Sequence, residues 1–377
     1  MSNLILSKLS LSILGFLSIS AYAESQNSSE YYRFVGFHDV TIPIKSDNLI
    51  RNSKSLESLS GVKTIELMSI VPSESFKEKN RTAISAIRGI DSEKDYSNGI
   101  YPFNNNTNDT SIDLGMNSVP VLDQGHYGTC VTFASTAALN AIFGINDGII
   151  DQQCILALNN FLGNNYWHGA YGSSQILDPL IEYGTVTKGT CFNRNYPDPS
   201  QMVSPTLYRT ISNIHNTKLF NYNYTGSASL EVVKSALRNR HRVVMGFAVS
   251  SNLGPISVIG FNARTPSIIP SNILNLGGLW ACKQTHNSTN YCEGEPNAAH
   301  QVVIIGFDDS QQLLKIRNSW GSNIGVNGDF YMTYTFFNAM ALDHTELRLT
   351  KKKIKRPNRR LPQKFTRSTS LKQNHPV

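Results

Sequence analysis

The spacing of apolar residues divides the chain into a strand-rich start, a helical middle and a strand-rich end. At the start, residues 40–44 and 62–70 alternate between apolar and polar positions, which predicts two strands on either side of the polar stretch 45–60. A helical pattern follows, with Phe76 on its apolar side and Ser73 in position to cap it. We therefore predict a strand pair and one helix ahead of the main body of the chain.

Helical spacing dominates from about residue 110 to residue 215. Three helices are predicted there, over 129–143, 151–162 and 173–183. The first of them consists mainly of small and apolar residues, so we expect it to be largely buried. From about residue 216 the pattern changes to a short amphipathic helix over 230–237 and to strands. The strands are predicted at 243–249, 298–307 and 313–317, with a final strand in 325–334.

Length, composition and charge indicate a globular protein with a basic C-terminal tail and do not narrow the class of protein further. The 377 residues can form a large core and suggest two or three units, and 40% apolar with 16% charged residues is an ordinary globular composition. The net charge is +7, but residues 351–377 contain ten Lys or Arg and no acid, so the remainder carries −3. Contact with nucleic acid or an anionic surface is one interpretation of this tail. We favour a disordered, removable tail and expect no specific nucleic-acid partner.

The first 23 residues have the pattern of a secretory signal peptide. Lys8 supplies the positive charge, residues 9–19 form a short apolar run, and Ala21-Tyr22-Ala23 is a small-x-small cleavage motif before Glu24. The run is too short for a membrane span, so an N-terminal anchor is the weaker alternative, and no other stretch approaches spanning length. We expect a soluble protein, secreted or periplasmic, and the Ala-x-Ala pattern has a bacterial character.

Three separated stretches carry the residues for nucleophilic catalysis. Cys130 lies in the first turn of a predicted helix, where unpaired N–H groups and the helix dipole favour a thiolate, although a cysteine there is often only a small core residue. His300 leads a buried strand, and Asn318 follows 18 residues later before a Trp-Gly turn. A cysteine nucleophile needs a histidine base, and that histidine needs a third group to fix its ring. The order Cys, His, Asn matches this requirement.

With these three stretches, the sequence resembles the papain-like cysteine peptidases over about residues 110 to 340. The matching residues are Gln124-Gly125, Gly128-Thr129-Cys130, Ala299-His300-Gln301-Val302, Gly306-Phe307 and Asn318-Ser319-Trp320-Gly321, extended by Gly325, Gly328 and Phe330. The resemblance implies a two-lobed α+β fold, with a helical lobe, a β-barrel-like lobe and the active-site cleft between them. It also implies a catalytic domain over residues 111–350.

The resemblance further implies a role for each site residue. The Cys130 thiolate attacks a peptide carbonyl while His300 is an imidazolium, and Asn318 orients His300. Gln124 and the Cys130 backbone N–H hold the oxyanion, and Trp320 covers the Asn318–His300 hydrogen bond. We expect a peptide or protein substrate, no cofactor and a monomer. Two alternatives remain: a catalytically silent binding module on this fold, and an acyl transferase or amidase that uses the same chemistry.

The match around the nucleophile is divergent. Tyr127 stands where the family has a cysteine, and Val131 stands where it has an aromatic residue. The nearest match to the family's substrate-binding Gly-Gly turn gives Gly169 and Ala170 as binding positions. The neighbouring His168 is expected to be a surface histidine with a satisfied partner. Substrate preference therefore cannot be predicted from these stretches.

The five cysteines leave one thiol free. Paired cysteines in a secreted chain usually form disulfides, and the first expected pair resembles one of the family's bridges. The expected disulfides are Cys154–Cys191 and Cys282–Cys292, the second a local loop within the insertion-like stretch 250–297. A metal site is the alternative, with Cys282, His286, Cys292 and His300 as ligands. Their spacing fits no zinc pattern, so we expect no metal and leave Cys130 as the reactive thiol.

The region between the signal peptide and the catalytic domain, residues 24–110, occupies the place of a prosegment. Its end, residues 96–110, is rich in Asn, Asp, Ser and Thr, which predicts an exposed linker open to cleavage. The resemblance implies that such a segment covers the cleft and inhibits the enzyme. An independent N-terminal domain is the alternative. Because the long charged helix common in the family's prosegments is missing, only the role is predicted and not the fold.

Overall fold

The structure is a computed structural model, and it describes only part of the chain. The described residues are 31–44, 61–89, 103, 110–144, 148–164, 167–191, 199–213, 220–249, 279–280 and 296–350. Several predictions concern residues outside these ranges: the signal peptide, most of the 96–110 linker, the Cys282–Cys292 disulfide and the basic tail 351–377.

The described residues form helices and strands in nearly equal measure. The helices are α1 (Glu74–Gly89), α2 (Cys130–Phe143), α3 (Gln152–Phe161), α4 (Ser174–Tyr183), α5 (Pro205–Ile211), α6 (Leu230–Arg238) and α7 (Tyr334–Met340). The strands are β1 (Tyr32–Ile44), β2 (Gly61–Pro72), β3 (Ser111–Asp113), β4 (Phe220–Thr225), β5 (Val243–Val249), β6 (Leu279–Trp280), β7 (Ala298–Asp308), β8 (Leu313–Arg317), β9 (Asp329–Thr333) and β10 (Ala341–Leu349).

Side-chain caps explain where several of these helices begin. The Asp151 carboxylate accepts the backbone N–H groups of Gln153 and Cys154, which satisfies two of the unpaired donors at the start of α3. The Ser73 hydroxyl accepts the N–H of Phe76 at 3.2 Å and so caps α1. The Ser73 cap was predicted from the sequence, and the Asp151 cap was not.

One sheet organises the fold, with β7 near its middle. The path of pairings runs β4-β10-β5-β7-β8-β9-β6, and β2 and β3 also pair with β7. All of these pairs are antiparallel except β6 with β9. Every residue of β7 is buried, as expected for a central strand covered on both faces.

The two faces of the sheet bury two different apolar clusters. One cluster combines α2, α3 and α4 with the sheet residues Val244, Val303, Ile305 and Leu347. The other combines residues of α6 and α7 with the opposite sheet face and includes apolar side chains from β1, β2 and α1. The predicted mixed α+β class is confirmed, and the N-terminal strands belong to the sheet-side core.

The end of the chain differs from the prediction. The strand expected last, in 325–334, is β9, but α7 and β10 follow it. β10 lies between β4 and β5 inside the sheet and is buried over its first seven residues. The sequence did not indicate β10 by apolar spacing, because this strand carries buried polar side chains that find partners inside the protein.

Candidate active site

Cys130 is the first residue of α2 and is nearly fully buried. Its side chain is 4% exposed, and it is a free thiol. The sulfur accepts hydrogen bonds from backbone N–H groups, among them that of Gln301 on β7. Because Gln301 directly follows His300, this contact fixes the thiol beside the start of the histidine strand.

His300 and Asn318 are hydrogen-bonded to each other. The distance from His300 Nε2 to Asn318 Oδ1 is 2.8 Å, and both residues are 2% exposed. The N–H of Ser319 donates to the same Oδ1 at 2.8 Å, which identifies that atom as an acceptor. Nε2 must therefore carry the proton, so a neutral imidazole has its lone pair on Nδ1. Nδ1 makes no hydrogen bond to any described residue.

Aromatic side chains enclose the His300 ring. Trp320 is stacked on it, with ring centroids 4.6 Å apart and an interplanar angle of 28°. Phe247 and Trp280 approach it edge-on at 5.7 and 6.3 Å. This enclosure excludes water from the ring and from its bond to Asn318. The resulting desolvation lowers the pKa of His300 to about 4, although the Asn318 hydrogen bond acts to raise it.

Burial favours the uncharged forms of both the Cys130 thiol and the His300 imidazole. Burial raises the pKa of Cys130 to about 11, even though hydrogen bonds from backbone N–H groups act to lower it. The expectation of a thiolate paired with an imidazolium stays a prediction, and burial of both groups acts against it. The start of a helix favours the thiolate, but desolvation of a fully buried sulfur outweighs that effect.

Gln124 ties the loop before Cys130 to the segment after Asn318. Its Nε2 donates to the Tyr127 carbonyl at 2.9 Å, and its Oε1 accepts the Ser319 hydroxyl at 2.8 Å. Its backbone N–H donates to the Ser319 carbonyl at 2.9 Å. The amide is therefore held in place close to Cys130, and its part in an oxyanion hole stays a prediction.

The predicted binding positions Gly169 and Ala170 lie against the same loop. Gly169 has φ +105°, and a Cβ there would lie 2.2 Å from the Gly128 carbonyl oxygen, so only glycine fits. Ala170 is buried at 2% exposure. His168 does have a partner, since its Nδ1 lies 3.2 Å from Glu66 Oε1. That partner belongs to β2.

Sequence reasoning missed a buried contact between Gln301 and Ser173. Gln301 Nε2 donates to the Ser173 hydroxyl at 3.0 Å, with exposures of 3% and 0%. This bond joins β7 to the start of α4 and holds the residue whose backbone N–H contacts the thiol. A glutamine directly after His300 was visible in the sequence, but nothing there indicated its partner.

The N-terminal hairpin, which we define as β1 and β2, lies against the His300 strand. Met68 and Ser69 of β2 pair with Ala299 and Ala298, the two residues that precede His300. The Ile70 N–H also donates to the carbonyl of residue 297 at 2.9 Å. The hairpin thus occupies the strand edge beside the histidine.

The same hairpin also contacts the loop before Cys130. The Glu66 N–H donates to the His126 carbonyl at 2.7 Å, and the Gly128 N–H donates to the Glu66 carboxylate at 3.2 Å. Lys63 forms an ion pair with Asp123. The hairpin therefore bridges the segments that carry the thiol and the imidazole.

Other predicted features fall partly within the described residues. A disulfide joins Cys154 and Cys191, the first expected pair. Of the four alternative metal ligands only His300 is described, since Cys282, His286 and Cys292 lie outside the described ranges. None of the described helices has the length and apolar content needed to cross a membrane.

The chain is similar in sequence to several known proteins. No protein-family model matches the chain. The gamete and mating-type specific protein A of Dictyostelium discoideum is 27% identical over 236 residues, which are 60% of this chain and 43% of that protein. Pro-cathepsin H of Mus musculus is 27% identical over 225 residues, 56% of this chain and 55% of that protein. Cysteine proteinase 1 of Entamoeba histolytica is 25% identical over 217 residues, 55% of this chain and 58% of that protein.

Solved structures with a similar fold include xylellain, a cysteine protease from Xylella fastidiosa. It has a TM-score of 0.48 and 22% identity, covering 70% of this chain and 94% of that one. The matches to the curated relatives span about half of each relative's length. The chain is a distant homologue of the cathepsins and cysteine proteinases over this part of its length. The resemblance inferred from the sequence is confirmed.

Proposed function

We propose that the chain is a cysteine peptidase exported as an inhibited precursor, with Cys130 as nucleophile and His300 as base. The observation that carries this proposal is the His300–Asn318 hydrogen bond, which leaves the lone pair of Nδ1 unengaged beside the strand residue that contacts the Cys130 sulfur. Distant homology to cysteine proteinases supports the same reaction class.

The reaction starts with proton transfer from the Cys130 thiol to His300 Nδ1. The thiolate then attacks the peptide carbonyl carbon, and the oxyanion accepts hydrogen bonds from the Cys130 N–H and the Gln124 amide. The imidazolium gives its proton to the amine as the C–N bond breaks, which leaves a thioester. Water, deprotonated by His300, hydrolyses the thioester and restores the thiol. Asn318 keeps the ring in one orientation throughout.

In the precursor, the N-terminal region keeps this pair inactive. The hairpin lies against the loop before Cys130 and against the strand that carries His300, and the buried thiol and imidazole stay neutral. Signal-peptide removal before Glu24 would release the precursor outside the cytoplasm. Cleavage in the 96–110 linker would then allow the hairpin to open on its loop side, beside the catalytic domain, residues 111–350. The substrate is a peptide or protein.

The test uses the purified full chain, acidified mildly and treated with a thiol-reactive epoxide, followed by intact mass and peptide mapping. We expect loss of residues up to about the linker and one adduct on Cys130. Cys130→Ala should take no adduct and cleave no peptide while keeping the wild-type melting temperature. His168→Ala is the matched control, because it changes a histidine near the site that has no role in the proposed reaction.

The outcomes separate the alternatives. A processed chain whose Cys130 stays unlabelled would overturn the peptidase proposal in favour of a silent binding module. Labelling with transfer of the acyl group to an added amine, in preference to water, would indicate an acyl transferase. If processing needs an added protease and labelling follows, the enzyme proposal stands and only self-maturation is rejected.

A further inference from the structure

The strand that carries His300 is bordered on one edge by two different strands. β2 pairs with the beginning of this edge of β7, up to Ala299, the residue directly before His300. Among the described strands, β8 joins the same edge from Val303 onward. β5 takes the opposite edge along residues 298–304. Within the described part of the chain, β2 therefore completes the sheet around the residues that lead into His300.

The part of β7 between these two pairings belongs to the candidate site. Residues 300–302 separate the β2 pairing from the β8 pairing. They include His300 and Gln301, whose backbone N–H contacts the Cys130 sulfur. A strand segment that is paired on one side alone is held by fewer contacts and opens more readily. Loss of β2 would therefore loosen the end of this segment at which His300 lies.

A second connection runs from α1 to the aromatic rings around His300. The Lys79 side chain donates to the backbone carbonyl of the residue directly after α7. On α7, the Phe336 ring centroid lies 6.2 Å from those of both Phe247 and Trp280. These are the two rings that approach His300 edge-on. The helix α1 thus supports the helix that supports the enclosure of the imidazole.

Apolar burial fixes β1, β2 and α1 to the sheet, and we define these three elements as the N-terminal unit. Its buried side chains share one core cluster with the rings around His300; they are Val40, Ile42, Ile65, Leu67, Met68, Ile70 and Phe76. None of them is more than 6% exposed. Burial stabilises in proportion to the apolar area removed from water. Cleavage in the linker removes none of this area.

We propose that the N-terminal unit stays bound after the linker is cleaved, as a permanent partner chain whose strand β2 positions His300. This inference rests on the proposed peptidase function. The two sides of the unit then have opposite effects. Its polar contacts with the loops before Cys130 and at His168 restrain the site in the precursor. Its pairing with β7 holds the base in place in the active enzyme.

The first test follows both fragments of the processed wild-type chain through gel filtration, with kcat for a peptide measured in every fraction. We expect the N-terminal fragment to elute with the catalytic fragment in the active fractions. The complex is then diluted in steps, with sub-denaturing urea where dilution alone does not separate the fragments. The same urea at high protein concentration is the control.

As the fragments separate, kcat should fall at least about tenfold, because a misplaced base slows the chemical step. KM should change by less than about threefold, since the loss lies in the reaction and not in substrate binding. A separated catalytic fragment that keeps its full kcat overturns the inference.

Rescue distinguishes positioning of the base from a general loss of stability. The Cys130→Ala chain, cleaved in its linker by an added protease, has no nucleophile and can only supply its N-terminal unit. Added in excess to the diluted wild-type enzyme, it should restore kcat. If kcat does not recover, positioning through β2 is refuted.

Leu67→Ala weakens the contact between β2 and the sheet. Loss of a buried leucine should raise the dissociation constant of the unit at least about 30-fold, so kcat should fall at a correspondingly higher protein concentration. Val71→Ala, on the same strand but 45% exposed, is the matched control and should follow the wild-type dilution curve. Coinciding curves for the two variants would overturn the inference.

Two further outcomes complete the test. If Leu67→Ala does not fold, the wild-type dilution and rescue experiments decide the question by the criteria given. A processed wild-type chain that takes no epoxide on Cys130 and cleaves no peptide at any concentration would instead overturn the peptidase function.

Discussion

The N-terminal hairpin is bound in two different ways on its two sides. Toward the sheet it contributes buried apolar side chains to a shared core; these are Val40, Ile42, Ile65, Leu67, Met68 and Ile70. Toward the loop before Cys130 and the loop at His168 it makes polar contacts that are partly exposed. Burying one such apolar side chain contributes about 1.5–3 kcal/mol, whereas an exposed ion pair contributes about 0–1 kcal/mol.

This difference indicates which side separates first. The ion pair of Lys63 with Asp123 and the contact of His126 with Asp39 each include a residue more than half exposed. The sheet-side residues, by contrast, share a core with β5 and β7 and cannot leave without exposing it. Cleavage in the linker alone would therefore leave the hairpin bound to the sheet. Opening on the loop side would be enough to admit solvent to the thiol.

The largest expected effect is on the reactivity of Cys130 in the uncleaved chain and in the processed chain, where the hairpin is free to open on its loop side. With a pKa of about 11, roughly one thiol in ten thousand is a thiolate at pH 7. In the uncleaved chain we expect the iodoacetamide rate to be low at pH 7 and to rise up to about pH 11. In the processed chain it should be at least about 100-fold faster at pH 7, because hydration removes the cause of the raised pKa. Cys130→Ser gives the background rate of alkylation at other sites. If the pH profiles of the uncleaved and the processed chain coincide, this account is refuted.

The second effect concerns the sheet-side contacts. Leu67→Ala removes a side chain that is 1% exposed, so the free energy of unfolding of the full chain should fall by about 2–5 kcal/mol. Denaturant unfolding measures it. Val71→Ala, on the same strand but 45% exposed, is the matched control and should cost under about 1 kcal/mol. Equal losses in the two variants would show that the hairpin is not part of the core.

Sequence patterns predicted the regular elements wherever apolar spacing was clear. β5 and β8 have the expected bounds, and α2 begins within one residue of its predicted start. β10 was missed because Asp343, His344 and Glu346 are polar and yet buried there. His344 Nδ1 contacts the Ser227 carbonyl and Glu346 pairs with His241, so the strand satisfies these groups with distant partners. Apolar periodicity contains no signal for such a strand.

The candidate site also has parts that the sequence predicted and parts that it did not. The order and spacing of Cys130, His300 and Asn318 were sufficient to predict that they act together, and the structure does bring His300 and Asn318 into contact. The charge state could not be predicted, because it depends on burial by segments far away in the sequence, among them β7, whose Gln301 contacts the Cys130 sulfur. The bond between Gln301 and Ser173 is equally non-local, at a sequence separation of 128.

The third prediction concerns the hydrogen bond between Gln301 and Ser173. Ser173→Ala removes the hydroxyl that accepts from Gln301 Nε2 and leaves a buried donor without this partner, which costs about 1–3 kcal/mol. Because Gln301 positions the N–H that contacts the sulfur, the variant should also shift the pH profile of Cys130 alkylation upward. Ser212→Ala, a half-buried serine that bonds the Tyr183 carbonyl, is the control and should leave that profile unchanged. A stability loss without any shift in the profile would assign Ser173 a structural role alone.

The smallest effect is expected when a polar contact between the hairpin and the loops before Cys130 and at His168 is weakened. The salt dependence of this effect distinguishes these polar contacts from the apolar contacts with the sheet. Glu66→Gln keeps an oxygen that can accept the Gly128 N–H. It removes the carboxylate charge that faces His168, and the His168 side chain is 65% exposed. The cost should be under about 1 kcal/mol, so alkylation of Cys130 in the uncleaved chain should speed up by at most about fivefold. Glu78→Gln removes a charge from an exposed ion pair with Arg81 on α1 and should have no effect on that rate.

The salt dependence of the rate is the second part of this test. Because salt screens exposed charges, the difference in rate between Glu66→Gln and the wild type should disappear near 1 M salt. The loss of unfolding free energy in Leu67→Ala should persist at that salt concentration. A salt-independent increase in Glu66→Gln would mean that Glu66 holds the loop through its geometry and not through its charge.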